Sequence, residues 1–85
     1  MEWFRKAAEL GDARAMSNLG FMYAEGRGVP KDDVLAYMWA NLSIAQGNEK
    51  ASEIRDLLET RMSGTQIEEA QRLSREWMDK HQEMT

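Results

Sequence analysis

Eighty-five residues with no cysteine support one small domain with a thin core, and leave neither a disulfide nor a thiolate metal site to staple it. A net charge of -4, with acidic and basic residues interspersed, excludes the basic stripe that nucleic-acid binding needs and disfavours an anionic membrane surface as partner. No apolar run approaches the roughly 20 residues that span a bilayer, and Met1 to Lys6 lacks the basic and apolar regions of a signal peptide, so a cytoplasmic location is the expectation.

Glu2 to Leu10 reads as a short helix stopped by Gly11. From Ala13 to Glu25 the residues Ala15, Met16, Leu19, Met22 and Tyr23 recur at helical spacing. Gly26-Arg27-Gly28-Val29-Pro30 then breaks the helix, with Gly26 suited to the left-handed conformation that follows a last turn. Asp32 is a good N-cap for a third helix, whose stripe is Leu35, Met38, Trp39, Leu42 and Ala45. Gly47 ends it, and Asn48 is placed to cap a fourth helix carrying Ala51, Ile54, Leu58 and Met62. Ser63-Gly64 makes the next break. Thr65-x-x-Glu68 reads as a capping box opening a fifth helix with Ile67, Ala70, Leu73 and Trp77. No segment reads as a strand.

Laid against itself, the sequence matches at an offset of 36: Trp3 on Trp39, Gly11 on Gly47, Asp12 on Asn48, Arg14 on Lys50 and Ala15 on Ala51. A third tryptophan, Trp77, follows Trp39 by 38 residues. Periods of 20 to 50 residues signal a solenoid, in which each helix pair buries its apolar face against its neighbours.

The run Ala15-x-x-x-Leu19-Gly20-x-x-Tyr23-x-x-Gly26-x-Gly28-Val29-x-x-Asp32-x-x-x-Ala36-x-x-Trp39 resembles the Sel-one-like repeat, a relative of the tetratricopeptide repeat. Trp3-Phe4-Arg5-Lys6-Ala7-Ala8-Glu9-x-Gly11-Asp12-Ala13 resembles the second helix and turn of a preceding repeat. The resemblance implies an all-α fold: a right-handed alpha-alpha superhelix, a tetratricopeptide-like solenoid of about five antiparallel helices. It divides the chain into a partial repeat 1–12, a complete repeat 13–48, a degenerate first helix 49–62 and a C-terminal capping helix and tail 63–85. The second unit is degenerate because Arg55, Asp56 and Glu59 stand where Leu, Gly and Tyr belong. The motif also has a physical reading. Gly20, and with one methyl each Ala15 and Ala36, let a partner helix approach, while Leu19, Tyr23 and Trp39 fill the space they leave. Gly26, Gly28 and Gly47 let the chain turn.

By the same resemblance the protein is a scaffold or adaptor for protein–protein interaction, with a concave face lined mainly by the first helix of each pair. The motif match places Arg14, Ser17, Phe21, Ala24 and Glu25 on that face, and the repeat offset adds Lys50, Glu53, Leu57, Thr60 and Arg61. Phe21 lies roughly 200° around the helix from Leu19, off the buried stripe. It either anchors a partner, as an aromatic hot spot flanked by charges does, or packs on a loop or adjacent helix. Leu57 shares its repeat position. Arg14, Lys50 and Arg61 would set orientation and on-rate from the rim.

Nothing in the sequence assembles a catalytic, cofactor or metal site. Gly26-x-Gly28 begins a phosphate-cradling pattern, but Lys31 stands where the third glycine belongs and no strand precedes it. Asp32/Asp33 and Glu68/Glu69 suit the N-terminal ends of helices better than an acid–base pair. None of Ser17, Ser43, Ser52, Ser63 and Ser74 has a base partner implied by a motif. His81, the single histidine, reads as a solvated tail residue. The rival to a binding module is a homo-oligomerising or end-capping fragment of a larger repeat protein, with no ligand of its own. In that reading the chain begins inside a repeat, and its open solenoid ends expose apolar surface to a second copy.

Overall fold

The computed structural model describes residues 2–82; the first residue of the partial repeat 1–12 and the last three of the segment 63–85 lie outside them. The helices are α1 (Glu2–Glu9), α2 (Ala13–Glu25), α3 (Asp33–Ala45), α4 (Ala51–Glu59) and α5 (Gly64–Gln82), with no strand among the described residues. The protein is an all-α helical repeat.

Side-chain caps set most of these boundaries. The Asp12 carboxylate accepts from the N–H groups of Arg14 and Ala15 at 2.9 and 3.1 Å, satisfying two orphan donors at the head of α2. Asp32 does the same for Leu35 at 3.1 Å, and Asp33 follows in the first turn of α3, where negative charge suits the dipole. Gly26 and Gly28 both take positive φ in the connection from α2 to α3, which is tied down where the Asp32 N–H donates to the Tyr23 carbonyl at 3.0 Å.

The 36-residue repeat extends to individual hydrogen bonds. After α1 the Gly11 N–H donates to Ala8 and the Asp12 N–H to Ala7; after α3 the Gly47 N–H donates to Ile44 and the Asn48 N–H to Ser43. Both glycines lie in the positive-φ region, at 91° and 101°, which a side chain would strain. The Asn48 side chain accepts from the Lys50 N–H at 3.1 Å, the counterpart of Asp12 on Arg14. Asn48 thus heads α4, although a 3₁₀-like turn intervenes, its first bond running from the Ala51 N–H to the Asn48 carbonyl at 3.2 Å.

The last helix opens in a different register from the one the Thr65–Glu68 pattern suggests. Ser63 accepts from the Gln66 N–H at 3.1 Å, and the Gln66 side chain accepts from the Ser63 N–H at 3.0 Å. Gln serves this reciprocal cap as well as Glu, so the sequence offers two overlapping boxes, and the earlier one yields the longer helix. The first turn of α5 consequently holds no acidic residue. Glu68 and Glu69 lie past it, and Glu69 approaches Arg72 at 3.9 Å.

The packing centres on α3, which is apolar on nearly every side and buries Ala36, Tyr37, Met38, Trp39, Ala40, Leu42 and Ser43. Its most extensive partner is α2. A Cβ at Gly20 would lie 3.2 Å from the Ala36 carbonyl oxygen and 3.4 Å from the Ala40 nitrogen, so the two backbones approach closely because no side chain intervenes. Met16, Leu19 and Tyr23 of α2 are buried beside this contact, with Ala15. The Ser43 hydroxyl donates to the Ala13 carbonyl at 2.6 Å, so this buried polar group is satisfied.

The second unit does not repeat this arrangement. Asp56 stands 36 residues after Gly20 and is exposed, and Arg55 and Glu59 replace the Leu and Tyr of the stripe. With no bare backbone to receive it, α5 packs on α3 instead of α4. Its Trp77 meets Trp39 edge-on, with ring centroids 6.0 Å apart and planes at 70°. Glu59 accepts the Tyr37 hydroxyl proton at 2.7 Å. His81 is not a solvated tail residue: its ring stacks on Trp77 at 3.7 Å, and its Nδ1 donates to the Trp77 carbonyl at 2.8 Å. The two side chains lie one helical turn apart and so share a face.

Two expectations follow from this core. Gly20→Leu introduces a better helix former, by about 1 kcal/mol, yet should lower the melting temperature, because overpacking against α3 costs about 1 to 3 kcal/mol. A rise in melting temperature would place the position at the surface. Burial, and then the Glu59 carboxylate that accepts the hydroxyl's hydrogen bond, hold the Tyr37 phenol above its ordinary value of 10.0. The unfolded chain therefore gives up this proton first as pH rises, so the contribution is intact below pH 10.0 and is lost above it. Chemical denaturation from pH 9 to 12 should show a steeper alkaline loss of stability for the parent than for Tyr37→Phe.

Candidate functional site

α2 meets α3 at Gly20 and buries Met16, Leu19 and Tyr23, while Phe21, Ala24 and Glu25 lie on the flank toward α4. There they meet Glu53, Ile54 and Leu57 of α4 and Arg61 just beyond it, around a groove of about 270 Å³. Ala24 is buried and Ile54 half-buried, which makes the floor apolar. Phe21 and Leu57 rise on either side, 44% and 55% exposed. The Arg27 guanidinium lies 5.7 Å from the centroid of the Phe21 ring, a cation–π contact. Part of this aromatic is thus held by the adjoining loop while the rest faces solvent.

Arg61 is engaged within the fold and is not a free rim cation. Its Nη2 donates to Asp33 at 2.9 Å and to the Ala24 carbonyl at 2.9 Å, and its Nε donates to the other Asp33 oxygen at 3.2 Å. The guanidinium fork therefore links the end of α4 to the end of α2 and the start of α3, and closes one end of the groove. Arg14 points elsewhere, into a hollow of about 220 Å³ that it shares with Trp3, Phe4, Ala7 and Asn18. Lys50 is exposed at the head of α4, and Ser17 is half-buried on α2 outside the groove. Thr60 is also outside it, its hydroxyl donating to the Leu57 carbonyl at 2.6 Å.

Sequence reasoning overlooked three contributors. Ile54 was assigned wholly to the buried stripe, yet it forms part of the groove floor. Arg27 lies in the irregular connection, where no periodicity fixes a side-chain direction. Asp33 pairs with Arg61 across 28 residues, a separation that carries no local spacing signal. The exposed carboxylates of Glu25 and Glu53 complete the rim, and among the described residues neither forms an ion pair.

Chemically, this arrangement suits holding an apolar side chain. Its ionisable lining is Glu25, Glu53 and Arg61. Its volume falls below the roughly 300 to 1,000 Å³ of small-molecule pockets. Among the described residues no three His, Asp or Glu side chains converge to hold a metal ion, and no helix is long and apolar enough to cross a membrane.

Two comparisons bear on the chain as a whole. The family model of the Sel1 repeat matches residues 1–12 and 13–48, together more than half of the sequence. None of the curated proteins matches it.

The internal engagement of Arg61 has a measurable consequence. The Arg61–Asp33 pair is partly exposed, at 33% and 22% of the two side chains, so solvent screens it and its worth is at most about 1 kcal/mol. Arg61→Ala should lower stability by about that amount, and the effect should shrink when Asp33 is already Asn in a double-mutant cycle. Equal stability of Arg61→Ala and the parent would return this residue to the solvent rim.

Proposed function

The chain belongs to the Sel1 repeat family, whose repeats are generally non-catalytic modules of protein–protein interaction, and from that premise we propose that it is an adaptor that holds a peptide or protein segment in the groove between α2 and α4 and catalyses no reaction. The observation that carries this reading is the pair Phe21 and Leu57. They share one repeat position, they are large and apolar, and they remain exposed on facing helices. A cluster of this kind is what anchors a partner side chain. Because Arg27 already restrains Phe21, less side-chain entropy is lost when a partner docks on it.

In this reading Phe21 is the anchor, Leu57 the apolar contact from the neighbouring unit, and Glu25 and Glu53 the rim. Arg14, Ser17 and Lys50 make at most outlying contacts, and Arg61 acts by shaping one wall. The segment 49–62 supplies half of the groove despite its degenerate motif, and α5 serves to cap α3.

A second reading, self-association, draws on a different surface. Trp3 is 76% exposed and Leu10 83%, whereas Trp39, at the same repeat position as Trp3, is only 7% exposed. A second copy would cover this apolar end. Light scattering at increasing concentration tests it: a monomer throughout removes the reading, and a dimer that Trp3→Ser dissociates supports it.

For the groove, the full chain and its Phe21→Ala variant serve as paired baits in lysate of the native host. A partner of the groove should be retained by the parent and bind the variant more weakly by about 2 kcal/mol or more, while both baits keep the same melting temperature. Equal binding to both, or unfolding of the variant, would remove Phe21 as the anchor.

A further inference from the structure

We infer that the segment this groove accepts is basic: a peptide presenting one large apolar side chain between lysine or arginine residues. The inference rests on the groove reading above and adds the chemistry of the occupant. It follows from which charges at the groove are already engaged. Arg61 is neutralised by Asp33 and also held by the Ala24 carbonyl, while Arg27 lies over the Phe21 ring and keeps its charge, so two carboxylates stand against one uncompensated cation. Glu25 and Glu53 remain, both exposed and neither in an ion pair among the described residues.

The position of Glu25 sharpens the point. It is the last residue of α2, where a carboxylate faces the negative end of the helix dipole and weakens the helix. Other carboxylates nearby have an internal role: Asp33 binds Arg61, and Glu59 accepts from Tyr37. Glu25 has none, and a cation from outside would relieve its repulsion. Glu53, in the first turn of α4, does stabilise its own helix, yet it also lines the same groove as Glu25. Two carboxylates around an apolar floor attract a cationic segment and repel an acidic one, and the net charge of -4 acts in the same direction during approach. The volume of about 270 Å³ suits a side-chain anchor rather than a larger ligand.

The test uses the full chain and three pools of 11-residue peptides, each with Phe, Leu or Trp at its centre. The flanking positions are drawn from Lys, Arg and Ala in the first pool, from Asp, Glu and Ala in the second, and from Ser, Gln and Ala in the third. The first pool should be retained best, with amide shifts in the NMR spectrum at Phe21, Ala24, Glu25, Glu53 and Leu57. The double variant Glu25→Gln/Glu53→Gln should bind it about 2- to 30-fold more weakly, as the loss of two exposed charge pairs implies. Glu68→Gln/Glu69→Gln on α5 removes the same charge away from the groove and should leave affinity nearly unchanged. Equal losses from the two double variants would reduce the effect to overall charge and overturn the inference. Preference for the acidic or neutral pool, abolished by Phe21→Ala, would overturn it while leaving the groove as the binding site. Retention of no pool, or binding that Phe21→Ala leaves intact, would overturn both.

Discussion

Where α2 crosses α3, the missing side chain of Gly20 brings two backbones together, and the remaining helices are arranged around that approach. Leu19, Met16 and Tyr23 are buried on the same helix, and Phe21, Ala24 and Glu25 lie on its flank toward α4. Because α3 sits so close on one side, its other faces are free to take α4 and α5, and it becomes the helix with the least contact with water. A side chain at position 20 would therefore disturb more than one interface: it would tilt the helix against which three others are packed. The groove is a by-product of the same geometry, since it forms where the unused flank of α2 meets α4.

The features legible in the sequence were those governed by short-range rules or by the repeat. Helical periodicity located five elements, Asp32 and Gly47 marked ends that the structure also uses, and the offset of 36 picked out the turns that share hydrogen bonds. Pairing Phe21 with Leu57 needed only that offset. What escaped depended on competition or on distance. Two overlapping capping boxes satisfy the same pattern, and which of them opens α5 is decided by the helix that results. His81 gave no sign of burial from its polar neighbours, because its partner is a tryptophan one turn back. Arg61, expected on the rim of a partner-binding face, is instead engaged with Asp33 and the Ala24 carbonyl, since a charged residue in a sequence carries no mark of whether its counter-ion belongs to the same chain.

Beyond residue 48, where the family match ends, the position 36 residues after Gly20 carries a side chain. Once Asp56 occupies the position of Gly20, α4 no longer receives a helix of its own. The final helix docks on α3 instead, through Trp77 against Trp39, and the side of α4 toward α2 keeps Leu57 at the surface. Arg61, bonded to Asp33 and to the Ala24 carbonyl, links the end of α4 to α2 and α3 at one end of the groove.

The joints after α1 and α3 carry one further consequence. Their glycines, the two N–H bonds that close each turn and one capping contact recur at a spacing of 36, although the Ala15 N–H goes to the Asp12 side chain and the Ala51 N–H to the Asn48 carbonyl. A duplication of one whole period at these joints would rejoin matching turns. A change of any other length would move a residue with a Cβ into the left-handed position and strand a capping carboxylate or amide. Insertion by whole periods is therefore the change in length that keeps both turns intact.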